Sequence, residues 1–322
     1  MSMQSVVARQ SSEDRSSTFA RDVLEGLTAR PKRLSPKYFY DETGSRLFEE
    51  ITALPEYYPT RCEVAILRRH GPDMARLLPE KTALIEFGSG SSTKARLMLD
   101  AAPEIAAYVP VDISAQWLSA EAAALRRDYP RLAVLPVAAD ITKPFRVPQS
   151  IASLARSGFF PGSTIGNFET YQACAFLQNA GRILGEGAIL IVGFDLVKDA
   201  KTLTAAYNDA AGVTAKFNLN LLVRINRELG ADFDLTGFCH QAFYNRERQR
   251  IEMHLASRRR QQVNVCGRMI EFRAGETIHT ENSYKYTVES FGALARGCGW
   301  APAEAWTDPD GYFSVQALRA AK

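Results

Sequence analysis

A glycine-rich turn follows the strand-like run at residues 82–87. It reads Gly88-Ser-Gly90, with Glu86 just before it and Lys94 in the helical segment that it opens. Glycines at such a turn let a ligand approach the backbone closely, and the N-terminus of the following helix supplies unpaired N–H groups. A dinucleotide-binding turn would carry a third glycine where this chain has Thr93. The turn therefore indicates a nucleoside-like ligand without a clear site for a diphosphate.

Two carboxylates end the next two predicted strands of this region. Asp112 ends the second strand, where a carboxylate can accept hydrogen bonds from both hydroxyls of a ribose. Asp140 ends the third strand, where it can accept from an adenine amino group while Ile141 packs on the base. Because ribose and adenine contacts occur without a diphosphate turn, the pattern favours S-adenosylmethionine over NAD. The negative charge of Glu86 suits a sulfonium and an amino-acid tail better than phosphates.

An alternation of strands and helices positions these residues at one edge of a sheet. Between residues 82 and 196, apolar runs of strand length alternate with segments of helical periodicity. The predicted strands are 82–87, 108–113, 132–137, 162–166 and 188–196. The C-terminus adds a helix over 287–297 and a hairpin around the turn Asp308-Pro-Asp-Gly311. This alternation predicts a parallel sheet covered on both faces, that is, a doubly wound, Rossmann-like α/β core.

Two regions do not follow the alternation and are assigned to a second lobe. The first is helical with an aromatic-rich connection, and the second contains alternating runs typical of antiparallel strands. We therefore expect a cofactor-binding domain at 81–196 plus 287–322, and an α+β substrate-binding lobe at 19–80 plus 197–286. A cleft between two such lobes is a favoured place for a small ligand. Residues 1–18, which are polar and rich in serine, are predicted to form a disordered tail.

Composition argues against several classes of protein. The net charge is +3 over 322 residues, which disfavours a dedicated nucleic-acid binder. No apolar run approaches the ~20 residues that span a bilayer, and the N-terminal segment lacks the apolar core of a secretory signal. We therefore expect a cytoplasmic monomer that binds neither nucleic acid nor membrane. Five cysteines without CxxC spacing and four histidines without metal spacing predict no disulfide framework and no metal site.

Longer motifs extend this interpretation to nearly the whole chain. They are Pro36-Lys-Tyr-Phe-Tyr-Asp41, Leu54-Pro-Glu-Tyr-Tyr-Pro-Thr-Arg61, Glu86-Phe-Gly-Ser-Gly90, Gly162-Ser-Thr-Ile-Gly-Asn167, Tyr207-Asn-Asp209 and Gly275-Glu-Thr-Ile-His-Thr-Glu281. In these motifs the chain resembles the histidine-specific N-methyltransferases, among them the L-histidine Nα-methyltransferases of ergothioneine biosynthesis. The resemblance implies S-adenosylmethionine-dependent trimethylation of the α-amine of L-histidine to hercynine, with S-adenosylhomocysteine as the second product.

The resemblance also implies roles for individual residues. Five residues fall on positions that contact histidine: Tyr57, Asn167, Tyr207, Glu281 and Ser283. Five fall on cofactor positions, to which we add Glu86 and Gly90 of the turn: Gly88, Lys94, Asp112, Asp140 and Ile141. Tyr40 and Phe48 match aromatic walls of the pocket, and Met253 matches a position near the imidazole. Asn282 departs from the family, which has an apolar or small residue there.

The residue types suit transfer of a methyl group. The reaction is an in-line displacement at a sulfonium, and alignment of the amine contributes roughly 7–11 kcal/mol. Asn167 and Tyr207 can donate hydrogen bonds to the substrate carboxylate. Glu281 and Ser283 lie two residues apart, so on a strand they share one face and can both bond the imidazole. Tyr40 can bond the amine, and neighbouring rings can hold the quaternary ammonium by cation–π attraction.

Other functions stay open from the sequence. The nearest alternative is an Nα-methyltransferase that acts on another amino acid or on a biogenic amine. An NAD-dependent oxidoreductase is disfavoured by Thr93 in place of a third glycine. A binding module without activity is disfavoured by the presence of both Asn167 and Tyr207.

Overall fold

A computed structural model describes residues 17–321 of the chain. These residues form two compact units, each drawn from distant parts of the sequence. The N-terminal unit contains the chain up to Tyr57, Asp199–Glu247 and Ile251–Asn282, and the central-sheet unit contains Tyr58–Lys198, Arg248–Arg250 and the chain from Ser283 onward. Residues 17 and 18 are helical, so the prediction of a tail is wrong for them, and residues 1–16 lie outside the described part.

Strands and helices are numbered in chain order. The strands are β1 Lys32–Arg33, β2 Ala83–Phe87, β3 Ala107–Asp112, β4 Ala133–Val134, β5 Val137–Ala138, β6 Arg156–Phe160, β7 Ile189–Asp195, β8 Phe238–Asn245, β9 Arg250–Ser257, β10 Gln261–Val265, β11 Arg268–Phe272, β12 Thr277–Tyr284, β13 Trp300–Thr307 and β14 Phe313–Ala320. The helices are α1 over 17–28, α2 Glu42–Thr52, α3 Tyr58–Leu77, α4 Thr93–Ala101, α5 Ala115–Asp128, α6 Thr170–Leu184, α7 Ala200–Ala205, α8 Val213–Leu229 and α9 Val288–Gly297.

The central-sheet unit is built on an eight-stranded sheet. Its strand order is β13-β14-β7-β6-β2-β3-β4, and β5 also pairs with β3. The pairs formed by β2, β3, β6 and β7 with one another are parallel, whereas β14 runs antiparallel to both β7 and β13. The predicted Rossmann-like parallel core with a C-terminal hairpin at its edge is therefore confirmed. Ligands of such sheets bind beyond the C-terminal ends of the strands, where the order reverses, which here is at β2.

Burial explains why the central strands of this sheet are mainly apolar. All residues of β2 and of β7 are buried. Along β2, Ile85 and Phe87 pack into the core on one face of the sheet, and Leu84 packs into the core on the other. A strand covered on both faces does not alternate apolar with polar residues, so a mainly apolar run is the expected pattern, and the charged residues Glu86 and Asp195 are exceptions to it.

Two predicted strands differ in the structure. The run at 132–137 forms two short strands, β4 and β5, because Pro136 lacks the N–H group that would continue the ladder. The prediction of a strand at 162–166 is wrong, since the strand lies earlier, at β6. Gly162 and Ser163 have φ of 83° and 56°, which turns the chain into the 3-10 helix Thr164–Asn167. The motif residues at this point therefore form a loop instead of a strand.

Helix α3 belongs to the central-sheet unit, whereas the sequence patterns place all of residues 19–80 in the second lobe. Its apolar face contributes Ile66, Leu67 and Met74 to the core that covers one face of the central sheet. Helical periodicity marks this face as buried but does not say which sheet it covers. The sequence alone could therefore not assign the helix to a unit.

Cys174 and Cys298 form a disulfide, so the expectation of no disulfide is wrong for this pair. The two residues are separated by 124 positions, and their Cα atoms are brought to 5.4 Å by packing of α6 near the end of α9. Spacing along the chain carries no information about such a long-range pair. Among residues 17–321, no helix combines the length and apolarity needed to cross a bilayer.

The N-terminal unit combines a small sheet with helices. The sheet has the order β1-β12-β9-β8, with β1 parallel to β12, and a separate hairpin is formed by β10 and β11. Helix α8 is amphipathic, and its buried residues include Phe217, Leu221 and Ile225 at helical spacing. It packs against α2 and β8. Gly230 ends α8 in the left-handed conformation that glycine adopts without a steric penalty.

Candidate functional site

The glycine-rich turn lies at the end of β2, in the central-sheet unit. Gly88 has φ of 74°, and the N–H groups of Gly88 and Ser89 both donate to the carbonyl of Val111 on β3, at 2.8 and 2.9 Å. A Cβ at Gly90 would meet no protein atom within 4 Å. The protein therefore fixes the first glycine by its backbone conformation and leaves space for a ligand beside the second.

Glu86 lies directly below this turn and is fully buried. The Tyr108 hydroxyl donates to its carboxylate, and the Ser89 hydroxyl lies 3.2 Å from the Tyr108 oxygen. Burial raises the pKa of Glu86 to about 7, because the low-dielectric surroundings disfavour its charged form. A cation bound beside Glu86 would favour the carboxylate over the protonated acid. A positively charged ligand at the turn would therefore lower the pKa of Glu86.

Of the two other predicted cofactor carboxylates, Asp112 ends β3 as predicted, whereas Asp140 lies in the loop two residues after β5. Asp112 accepts a hydrogen bond from the Ser114 N–H at 2.9 Å, and burial raises its pKa. Asp140 accepts from the Thr142 N–H at 3.0 Å, which holds the carboxylate in a turn. Ile141 is in contact range of Gly88, since a Cβ on that glycine would lie 3.5 Å from the Ile141 Cδ1. The structure therefore brings Gly88 and Ile141 together.

Lys94, predicted to contact the cofactor, pairs with a residue that the sequence analysis missed. Its Nζ lies 2.6 Å from an Oε of Glu63, a buried residue of α3. The same carboxylate accepts from the Gly162 N–H at 2.9 Å. A Cβ at Gly193 would come within 2.0 Å of Glu63, so β7 needs a glycine at that position. This network joins the cofactor turn helix α4 to the loop that carries Asn167.

Asn167 lies at the end of the 3-10 helix after the Gly162 turn. The Ser163 hydroxyl accepts from the Asp195 N–H at 3.0 Å, which fixes the start of this loop. A Cβ at Gly166 would lie 2.8 Å from the Tyr284 carbonyl oxygen, so only glycine lets the loop pack this closely on the backbone of β12. Asn167 is therefore held on a rigid loop, although not directly after a strand as predicted.

A buried ion cluster supports Ser283. Lys285 is buried and lies 2.7 Å from an oxygen of Asp195, which is also buried. Lys198 and the Tyr58 hydroxyl donate to the same carboxylate at 2.6 and 2.8 Å. Burial lowers the pKa of Lys198 to about 8, since desolvation disfavours the ammonium form. Lys285 also donates to the Ser283 Oγ at 2.8 Å, so the predicted substrate residue is anchored to this cluster.

In the N-terminal unit, four predicted substrate residues form a continuous set of aromatic contacts. Ring centroids are 5.7 Å apart for Tyr40 and Phe48, 6.2 Å for Phe48 and Tyr57, and 6.2 Å for Tyr57 and Tyr207. Phe217 of α8, which the sequence analysis did not single out, contacts both Tyr40 and Phe48. Edge-to-face geometry in most of these pairs is the arrangement that aromatic rings prefer. The structure thus brings these predicted residues together.

Two aspartates hold the loops of this aromatic set. Asp209 accepts from the Val213 and Thr214 N–H groups at 2.8 Å each, so it caps α8 next to Tyr207. Asp41 accepts from the Gly44 N–H at 2.7 Å, which caps α2 next to Tyr40, and it also accepts from Arg227 at 2.7 Å. Both aspartates belong to the motifs that the sequence analysis quoted. Their role is to position a neighbouring tyrosine.

The predicted imidazole contacts lie on β12. Glu281 and Ser283 are both buried and are two residues apart on this strand, so their side chains share one face. Met253 on β9 is buried between Ile251 and Leu255, which share its face of that strand. This placement makes Met253 part of an apolar face, and its predicted position near the imidazole stays a prediction.

The residues that sequence reasoning missed carry a common signal. Glu63, Asp195 and Lys285 are charged, yet Glu63 shares the buried helical face of Ile66, and Asp195 ends an apolar strand run. A charge inside an apolar pattern is costly unless it is paired, so such a position points to a buried network. The partner of each charge lies far away in the sequence and is visible only in the structure.

Comparison with known proteins gives a consistent result. A family described as histidine-specific, SAM-dependent methyltransferases matches residues 19–320. The chain is 43% identical to the histidine N-alpha-methyltransferase of Mycolicibacterium smegmatis and 42% identical to that of Mycobacterium tuberculosis, with 92% of both chains covered in each case. It is also 30% identical to ergothioneine biosynthesis protein 1 of Neurospora crassa, over 88% of this chain and 32% of that protein. The chain therefore belongs to the SAM-dependent, histidine-specific methyltransferases.

Proposed function

We propose that the protein trimethylates the α-amine of L-histidine to give hercynine, the first step of ergothioneine biosynthesis. The observation that carries this proposal is the pair Glu281 and Ser283 on one face of β12. Lys285 donates to the Ser283 oxygen, so the Ser283 hydroxyl proton is directed to another acceptor. The pair then offers one acceptor and one donor, which matches the N–H and the lone pair of a neutral imidazole.

S-adenosylmethionine, when bound, supplies a methyl group on a sulfonium that an amine can displace. The residues at the ends of β2, β3 and β5 fit such a ligand. Gly90 leaves space for close approach, and Glu86 supplies a buried carboxylate for the positive charge. Asp112 would accept from the ribose hydroxyls, while Asp140 and Ile141 would hold the adenine. Lys94, already paired with Glu63, would favour the carboxylate of the ligand.

For histidine, we propose that Asn167, Tyr57 and Tyr207 bind the amino-acid end. Their neutral donors fix the carboxylate without competing for the proton of the amine. Asn167 owes its position to the Gly162–Gly166 loop, and Tyr207 owes its position to the Asp209 cap. Tyr40 would hydrogen-bond the amine, and Phe48 would attract the positive charge that each methylation leaves on the nitrogen. Alignment of the amine with the methyl carbon is then the main catalytic contribution.

Specificity for histidine follows from burial of Glu281. A buried carboxylate that receives no hydrogen bond from the substrate pays a desolvation penalty of about 1–3 kcal/mol or more. An amino acid without a ring N–H would not replace the hydration that Glu281 loses when the substrate binds, so it would react more slowly. Sites that hydrogen-bond a polar substrate group discriminate strongly against analogues that lack the group.

Mass spectrometry of reactions with S-adenosylmethionine tests the proposal. We expect histidine to gain one, two and three methyl groups, with fragmentation locating all of them on the α-nitrogen. Other free amino acids and histamine are tested in parallel at equal concentration. Absence of methylated histidine, or faster methylation of another amine, would reject the proposal and favour the alternative of a different amine substrate. Sedimentation velocity of the same sample tests the prediction of a monomer.

A further inference from the structure

Three side chains with metal-binding atoms meet on the small sheet of the N-terminal unit. They are Glu252 and His254 of β9 and His279 of β12, and each offers one ligand atom within 4.8 Å of the other two. The ring centroids of the two histidines are 4.9 Å apart. The pair is formed across strands, which explains why the sequence analysis found no metal spacing among the histidines. Neither histidine takes part in the proposed binding of cofactor or substrate.

Hydrogen bonds hold both histidine rings in place. The His254 Nδ1 lies 3.2 Å from the Thr277 hydroxyl oxygen, and the His279 Nε2 lies 3.0 Å from the Glu281 carbonyl oxygen. A carbonyl oxygen only accepts, so the His279 proton is on Nε2 and the lone pair is on Nδ1. The His254 Nε2 lies 3.2 Å from an oxygen of Glu252, which only accepts, so Nε2–H donates to Glu252 and Nδ1 can accept from the Thr277 hydroxyl. A metal ion on Nε2 would replace that proton, and the ring would then carry its proton on Nδ1, where it can donate to Thr277. Metal-bound histidines are held in this way by an acceptor for the other ring nitrogen.

Hydrogen bonds also orient the carboxylate of Glu252 towards the two histidines. Asn245 donates to one oxygen of Glu252 at 3.1 Å, and the other oxygen lies 3.2 Å from the His254 Nε2. Two ligands at about 2.0–2.2 Å from a tetrahedral zinc ion lie about 3.3 Å apart. The Glu252–His254 distance therefore corresponds to one edge of a zinc tetrahedron. The same distance also suits a direct hydrogen bond, so the experiment must separate the two.

The surroundings keep the group in place while leaving it partly accessible. Phe243 of β8 stacks on the His254 ring with centroids 5.3 Å apart. The side chains of Glu252 and His254 are 11% and 13% exposed. A site of this kind holds its ligands in fixed rotamers but can admit an ion and a water molecule from solvent.

We propose that Glu252, His254 and His279 bind one divalent transition-metal ion of the zinc type. Two imidazoles and one carboxylate are ligands that zinc accepts, and a water molecule would complete the tetrahedron. The ion would link β9 to β12, and through the Glu281 carbonyl it would stabilise the segment of β12 that carries Glu281. Its role is structural, and it takes no part in the transfer of the methyl group.

Metal titration of the full-length protein after chelator treatment tests the site, with neither histidine nor S-adenosylmethionine present. Zinc is added against a chromophoric chelator, and cobalt is added as a spectroscopic probe of geometry. We expect one ion per chain, tetrahedral cobalt bands in the visible range, and no thiolate charge-transfer band. The variants Glu252→Gln, His254→Gln and His279→Gln are expected to lower the affinity at least about tenfold each.

Matched variants exclude other sources of binding. His70→Gln removes another partly buried histidine, and Cys266→Ser removes an exposed free thiol, so both are expected to bind zinc like the wild type. Zinc should also raise the unfolding temperature of the wild type but not that of His254→Gln, because a ligand that binds only the folded state stabilises it. Each variant is scored only if it unfolds cooperatively.

Wild-type protein that binds no zinc at micromolar concentration would overturn the proposal. So would Glu252→Gln and His254→Gln proteins that fold and bind zinc as tightly as the wild type. Either result is independent of whether the enzyme methylates histidine, because no substrate enters the measurement. The site is supported if only the three ligand variants lose zinc binding. Zinc should then raise the unfolding temperature only of those proteins that keep all three ligands.

Discussion

The cofactor turn and strand β12 are positioned by different means. At the turn, the backbone itself fixes the site, through the left-handed φ of Gly88 and two N–H bonds to one carbonyl of β3. On β12, Ser283 is held by Lys285, which depends on the buried carboxylate of Asp195. Local backbone geometry is encoded by neighbouring residues, whereas a buried ion pair depends on residues far apart in the sequence. The two regions should therefore fail in different ways when they are mutated.

The largest expected effect is loss of the buried charge at Asp195. Asp195→Asn leaves Lys285 and Lys198 buried without a carboxylate, and breaking a buried ion pair costs about 3–5 kcal/mol. We expect the free energy of unfolding in urea to fall by this amount. The matched control is Asp199→Ala, which removes an exposed carboxylate that caps α7 and should lower stability far less. Equal losses for the two variants would contradict the role assigned to the cluster.

The same comparison shows what the sequence could and could not predict. The turn, its carboxylates and the parallel order of strands follow from local patterns, so Gly88, Asp112 and Asp140 can be assigned from their neighbours in the chain. The strand predicted at 162–166 is wrong because Gly162 and Ser163 adopt positive φ, whereas the β-branched pair Thr164-Ile165 suggests a strand. Glu63, Asp195 and Cys174 could not be understood from the sequence, because the partner of each is set by packing of distant elements.

The next effect concerns recognition by β12. Glu281→Ala removes the proposed acceptor of the imidazole N–H, so kcat/KM for histidine should fall about 10- to 100-fold, equivalent to about 1.4–2.8 kcal/mol. The ratio of kcat/KM for histidine to that for phenylalanine should fall as well, because phenylalanine has no ring N–H. Binding of S-adenosylhomocysteine, measured by calorimetry, should stay unchanged. An unaltered ratio of the two kcat/KM values would show that Glu281 does not contribute to recognition of the imidazole.

A pair of glycine substitutions sharpens the description of the turn. Gly88→Ala forces a side chain into φ of 74°, which costs about 1–2 kcal/mol and should lower the free energy of unfolding. Gly90→Ala meets no protein atom within 4 Å, so it should leave stability unchanged. Its Cβ would instead occupy space proposed for the cofactor and weaken binding of S-adenosylhomocysteine. Gly90→Ala protein that binds S-adenosylhomocysteine like the wild type would place the ligand elsewhere.

The smallest expected effect is the pH dependence of the turn. Because the pKa of Glu86 is about 7 in the folded protein and its ordinary value is 4.5, the folded state binds more protons between these pH values. The contribution of Glu86 to stability is therefore fully present below pH 4.5 and is lost as pH rises towards 7. A cationic ligand favours the ionised carboxylate, so affinity should have the opposite trend and rise with pH until about 7.

Calorimetry with S-adenosylmethionine at pH 6 and pH 8 measures this effect. If the bound state holds Glu86 ionised, protonation in the free protein weakens binding about tenfold at pH 6 relative to pH 8, equivalent to about 1.4 kcal/mol. Binding near pH 7 should release a proton, seen as heats that depend on the ionisation enthalpy of the buffer. Glu86→Gln keeps the shape of the side chain, cannot ionise, and should bind with equal affinity at both pH values. If the wild-type affinity is also equal at the two pH values, ionisation of Glu86 does not contribute to cofactor binding. The turn would then bind the cofactor through its backbone alone.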